Sequence, residues 1–175
     1  MKRKIIITLL SLSLLAFVVP AYAAQQLDDT TMHRSCKYCG MDREKFNYSR
    51  MLIKYDDGTS TGVCSLHCAA LEISTMLDKT PQSIMVADMF TRQLIDAETA
   101  FWVIDSSKPG VMSSRGKWAF QKKETAETYA QEAKGKLVTF DEAIKAAYED
   151  MYADTKMIRE KRKDKKAPAS MEHKH

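Results

Sequence analysis

Two cysteine pairs place the tightest constraint on how this chain can fold. The first lies in Cys36-Lys37-Tyr38-Cys39-Gly40-Met41 and the second in Cys64-Ser65-Leu66-His67-Cys68. If the thiols are reduced, the two pairs read as a metal site. If they are oxidised, they staple the domain as disulfides. Cysteine thiolate and methionine thioether are soft donors, so Met41 beside Cys39 favours Cu(I), whereas oxygen donors would favour calcium or magnesium. C-x-x-C followed by C-x-x-x-C also suits a tetrahedral zinc site. C-x-x-C spacing serves thiol exchange as well, but here the motif reads as a loop followed by Gly40-Met41, not as the start of a helix.

The N-terminus sets the compartment. Met1-Lys2-Arg3-Lys4 is a basic start, Ile5 to Pro20 is mostly apolar, and Ala21-Tyr22-Ala23 supplies small residues for a peptidase. Residues 1–23 are therefore expected to be a signal peptide cleaved before Ala24, without the cysteine of a lipid-anchored precursor. No later stretch is apolar for the ~20 residues of a membrane-spanning helix. The processed chain is expected in the periplasm and not as an integral membrane protein, where thiols oxidise unless a metal or a reductant protects them.

Charge is uneven along the rest. Ala24 to Ala153 carries 16 Lys and Arg against 19 Asp and Glu, while Asp154 to His175 carries 8 against 4. Basic character belongs to the tail, so nothing on the body suggests a nucleic-acid partner. A catalytic reading finds no paired His-Asp-Ser arrangement, and no enzyme activity is expected.

Local patterning gives an α+β chain. Residues 24–34 read as a flexible lead-in and residues 35–158 as one domain. Tyr48 to Tyr55 alternates as a strand, Asp56-Asp57-Gly58 turns, and Thr59 to Cys64 returns. Ser65 is placed to cap a helix running to about Leu77, and Pro81 is expected to end this first unit, residues 35–80. A second unit, residues 81–139, has strands over Ile84 to Met89 and Ala100 to Ile104, joined through Leu94-Ile95-Asp96-Ala97. A loop over Ser106 to Gly116 follows, then a helix over Trp118 to Lys134 and a short strand at Lys136 to Val138. A C-terminal helix over Asp141 to Met157 precedes a basic, disordered tail, residues 159–175.

Met51, Met76 and Met151 fall in periodic segments and read as packing. Met112 lies in the Gly-containing loop, where burial is not the default role. Met32-His33 and the terminal Met171-Glu172-His173-Lys174-His175 add donors near the ends, and His67 reads as a surface or hydrogen-bonding residue.

Cys39-Gly40-Met41, the Asp57-Gly58 hairpin and Cys64 or Cys68 opening a helix resemble the NosL family, copper-binding accessory proteins of nitrous oxide reductase. So does the later run of Ile95-Asp96-Ala97-Glu98-Thr99-Ala100, Met112, Gly116, Ala119-Phe120 and Gly135-Lys136. The resemblance covers about Cys36 to Ala147. It implies an α+β fold of repeated strand-strand-helix-strand units and one Cu(I) held for delivery to an exported cuproenzyme or its assembly machinery. It carries over Cys39, Gly40 and Met41 as the metal motif and Met112 as the loop donor. Three features depart from the family pattern. The signal peptide lacks the lipoprotein cysteine, Gly110-Val111 separates Pro109 from Met112, and Cys36, Cys64 and Cys68 make a richer thiol set. The ligand set expected from these readings is Cys39, Met41, Met112, Cys36, Cys64 and Cys68, with zinc as the alternative metal and the oligomeric state open.

Overall fold

The computed structural model describes residues 29–164; the expected signal peptide, the first part of the lead-in and the histidine-containing end lie outside them. The described chain is α+β, built from two antiparallel sheets and a long C-terminal helix. The first sheet has the order β2-β1-β3-β4, from β1 (Met51–Tyr55), β2 (Ser60–Val63), β3 (Pro81–Ala87) and β4 (Leu94–Asp96). The second has the order β6-β5-β7, from β5 (Phe101–Ser106), β6 (Gly116–Phe120) and β7 (Lys136–Val138). Helix α1 (Leu66–Thr75) follows β2, α2 (Lys123–Glu132) follows β6, and α3 (Phe140–Asp164) closes the fold.

Hairpin, helix and returning strand therefore occur twice, and in each copy the returning strand pairs with the first strand of its hairpin. This is the repeated unit that the patterning suggested, but its boundary is displaced. Pro81 does not end the first unit; it opens β3, where it pairs with Tyr55. Lacking an N–H, proline is tolerated at the first residue of a strand. Leu94 to Asp96 is likewise a strand pairing with β3, not a connection.

The helix expected over Trp118 to Lys134 is two elements. All of Gly116 to Phe120 is buried as β6, with Trp118 opposite Val103 and Phe120 opposite Phe101. The aromatic residues that extended the helical pattern instead fill positions of a fully buried strand, where tertiary pairing overrides local periodicity. Asp88 joins the sheets: it bridges Ala119 in parallel fashion, and its Oδ2 accepts the Gln121 N–H at 2.8 Å.

Both ends of the expected domain are more structured than the composition suggested. Residues 29–32 form a helical turn, and Asp29 is buried. α3 continues to Asp164, past the expected start of the tail. Its start is a capping box: the Thr139 N–H donates to Glu142 Oε2 at 2.9 Å, and the Glu142 N–H to Thr139 Oγ1 at 3.3 Å. Its last turn carries Lys161, Arg162 and Lys163, good helix formers whose charge suits the negative end of the helix dipole. No helix among the described residues is long and apolar enough to cross a membrane.

Candidate metal centre

The first cysteine pair sits on a tight turn closed by backbone bonds. The Cys36 N–H donates to Met41 O at 2.8 Å and the Gly40 N–H to Cys36 O at 2.9 Å, with Ser35 and Asp42 bridged just outside. Gly40 holds φ at +73°, a left-handed conformation that glycine adopts without steric cost. The backbone amides of Cys39 and Met41 add small downward pulls on the Cys36 and Cys39 thiols respectively. Amide hydrogen bonds of this kind stabilise thiolates.

The second pair is placed by the β2–α1 junction. Cys64 follows the last residue of β2, and Cys68 lies in the first turn of α1. Ser65 occupies the N-cap position, but its side chain makes no capping bond; the Cys64 thiol instead approaches its hydroxyl at 3.8 Å.

The two pairs meet. All four Sγ atoms lie within 4.8 Å of one another, with Cys39–Cys64 at 3.4 Å and Cys64–Cys68 at 3.8 Å. Metal–thiolate bonds of about 2.3 Å arranged tetrahedrally require sulfur–sulfur edges of roughly 3.8 Å, so the quartet lies within about an ångström of the edges that a single ion would impose. None of the four is in a disulfide. Cys36, Cys64 and Cys68 are buried and Cys39 is half-buried, which makes Cys39 the most accessible cysteine of the four.

Proton affinity divides the four by pair and not by burial. Hydrogen bonds from Cys39, Cys64 and Cys68 hold the Cys36 thiol far below its ordinary range. The Cys36 bond opposes ionisation of Cys39, but bonds from Cys64 and Cys68 outweigh it and lower Cys39 as well. Cys64 and Cys68 are pushed up by their bonds to Cys36 and Cys39. A cation bound among the four would replace the protons that the thiols share, so metal affinity should depend on pH.

The turn is seated by buried polar groups that residue patterning did not single out. Arg43 is fully buried and donates to Val63 O at 3.1 Å, next to Cys64, and to Met51 O, His33 O and Asp29 O. Asp29 pairs with both Arg43 and Arg50, so the residues before the cysteine turn are anchored in the core. A side chain at Gly62 would place its Cβ 2.4 Å from His33 Cβ and 2.7 Å from the Arg43 guanidinium, which leaves room only for glycine. On the other side, Glu72 accepts hydrogen bonds from Lys37, Tyr38 and Tyr55. Burial raises the Glu72 carboxyl, but bonds from Tyr38, Lys37, Tyr55 and Thr61 outweigh it and hold it below its usual range. Glu72 is the sole charged residue of α1, and that sequence signal marks it as a buried partner.

Met41 contributes its carbonyl to the turn, and its side chain is half-buried against the core. Met112 is also half-buried and holds φ at +60°, uncommon for a side chain of its size. Its neighbours Val111 and Ser113 line a small cleft over Ser65, Leu66 and His67, so the loop sits beside the start of the cysteine-bearing helix. His67 is buried, not at the surface. Its Nδ1 lies 3.3 Å from Asp154 Oδ2, and burial lowers its pKa against the opposing pull of Asp154. His33 is taken up by Ser60 Oγ at 2.8 Å and stands outside the quartet.

A family model described as NosL matches residues 27–148. The chain belongs to the NosL family. The match spans both repeated units and the start of α3, as the resemblance in sequence implied. Among solved structures, the fold is similar to the crystal structure of the copper chaperone NosL from Shewanella denitrificans, with a TM-score of 0.50 and 22% identity. That likeness covers 63% of this chain and 89% of the Shewanella one. No curated protein matches by sequence. What this NosL-family domain presents is a four-cysteine cluster able to hold a metal ion.

Proposed function

We propose that this protein is a periplasmic copper(I) metallochaperone that carries one ion to an exported cuproenzyme, such as nitrous oxide reductase, or to its assembly machinery. The observation that carries the reading is the convergence of four sulfurs on one point with only Cys39 of the four reaching the surface. A soft, sulfur-only donor set selects Cu(I) over hard cations. Membership of the NosL family and the copper chaperone named among its structural relatives support the same cargo.

In this reading Cys36, Cys64 and Cys68 form the buried floor of the site and Cys39 its exposed lip. Met41, beside Cys39, and Met112, in the loop beside α1, are thioether donors for an ion moving outward. Transfer proceeds by ligand exchange: a sulfur of the acceptor takes the place of Cys39, and the ion leaves over the turn. Because Cu(I) is stable with few ligands, it needs no fixed set of four at any stage.

One observation favours a second reading. The sulfur spacings match a tetrahedral zinc tetrathiolate, which would make the ion structural and place the function in protein contacts. Metal analysis of protein purified without added metal, followed by anaerobic Cu(I) titration against a competing chelator, separates the two. The copper reading expects one tight equivalent of Cu(I), weakened at least about tenfold in Cys39→Ala and measurably in Met41→Ala. One tightly held zinc that Cu(I) fails to displace, with unfolding on its removal and no effect of Met41→Ala, would overturn it.

A further inference from the structure

We infer that Glu72 is a positioning residue, a latch that holds the Cys36–Cys39 turn over the sulfur quartet and sets how fast a bound ion escapes; this rests on the metal-binding reading above. The two residues between the cysteines of the turn both reach the same carboxylate. Lys37 Nζ donates to Glu72 Oε1 at 3.2 Å and Oε2 at 2.9 Å, and Tyr38 Oη donates to Oε2 at 2.6 Å. Tyr38 Oη is also 3.0 Å from Thr75 Oγ1, one turn further along α1. Glu72 is itself fully buried and lies one helical turn beyond Cys68. The latch therefore joins the turn that carries Cys36 and Cys39 to the helix that carries Cys68.

The other half of the carboxylate faces the scaffold. Tyr55 Oη of β1 donates to Oε1 at 2.8 Å. Glu72 thus has one scaffold arm, Tyr55, which lies in the core, and two turn arms, which lie nearer solvent; the Lys37 side chain is 42% exposed. Breaking the turn arms frees the turn from the helix without opening the core. The backbone bond from the Lys37 N–H to Gly62 O, at 3.3 Å, then becomes the main restraint on that side. Bonds to an ionised carboxylate are among the stronger hydrogen bonds, and loss of such support behind metal ligands typically weakens binding about 10–100-fold.

The division into arms supplies the test. Mature protein is loaded with one Cu(I), and its release to excess bathocuproine disulfonate is timed for wild type, Tyr38→Phe, Lys37→Met and Tyr55→Phe. In parallel, reduced metal-free protein is alkylated with iodoacetamide and the rate at the buried Cys36 is followed by mass spectrometry. Release about tenfold or more faster in Tyr38→Phe and Lys37→Met, with Tyr55→Phe releasing like wild type despite a lower melting temperature, is the expected result. Cys36 alkylation should rise in the same two variants and not in the third. Equal release and alkylation across all variants overturns the latch, and so does an equal rise in all of them, which marks a merely structural network. If wild type binds no Cu(I) while the turn variants still alkylate faster, the copper reading fails and with it the control of ion escape, and only the hold of Glu72 on the turn is upheld.

Discussion

Asp29→Asn should be among the most damaging single changes available outside the cysteines. Both Asp29 oxygens are used: Arg43 Nη2 donates at 2.7 Å, and Arg50 donates through Nε at 3.0 and 3.2 Å and through Nη2 at 3.0 Å. The three side chains are 3%, 0% and 2% exposed, so solvent does not screen them. After the substitution Arg43 keeps its backbone carbonyls and Arg50 keeps those of Asn47 and Arg92. What disappears is the carboxylate that the two buried guanidinium groups share. Breaking a buried ion pair from one side costs about 3–5 kcal/mol, a large share of the roughly 5–15 kcal/mol that holds a domain together. The corresponding fall in melting temperature is roughly 10–20 °C. Urea unfolding followed by fluorescence of the buried Trp102 and Trp118 measures it directly. A loss below about 1 kcal/mol would refute the reasoning, because it would mean the arginines do not depend on Asp29 for neutralisation. Truncation to residue 35 should be at least as damaging, whereas a flexible lead-in would be dispensable.

Two further outcomes follow from the same geometry. Gly62→Ala drives a methyl group into His33 and the Arg43 guanidinium, and should cost about 1–3 kcal/mol by overpacking while raising the alkylation rate of Cys36; an unchanged urea midpoint would contradict the close approach. Stability should also fall with acid in two stages. Burial holds His33 and His67 below the ordinary 6.5, so the unfolded chain takes up protons first and stability declines as pH falls below about 6.5. Hydrogen bonding outweighs burial to hold Glu72, Asp88 and Asp150 below the ordinary carboxyl values of 4.5 and 3.8, so their contribution is complete above those values and is lost as pH falls further. Urea midpoints at pH 7.5, 5.5 and 3.5 should descend in that order; a higher midpoint at 5.5 than at 7.5 would reject the histidine stage.

Local chemistry was legible in the residues because it depends on near neighbours. The spacing of Cys36 and Cys39 with Gly40 after them specifies a turn, and Asp57-Gly58 specifies a hairpin whose Asp57 Oδ1 accepts from the Thr59 N–H at 2.9 Å. Order along the chain likewise carried the repeated hairpin-helix-strand unit and the family resemblance. Periodicity misled where burial is complete. β6 is enclosed on both faces, so alternation vanished and its aromatic residues read as the start of α2. Pro81 read as a terminator because a proline's place at a strand start is visible only once β3 is seen beside β1. Polar residues misled in the opposite sense. Asp29, Arg43, Arg50 and Glu72 look solvated in a linear chain, and only the assembled fold supplies the partners that let them be buried. Residue identity determined that soft donors and a tight turn exist. Which sulfurs share one point, which of them faces solvent and what holds the turn in place were decided by the packing of β2 and α1 against residues 29–43, since distances between segments remote in sequence are set by the packed core and not by local preference.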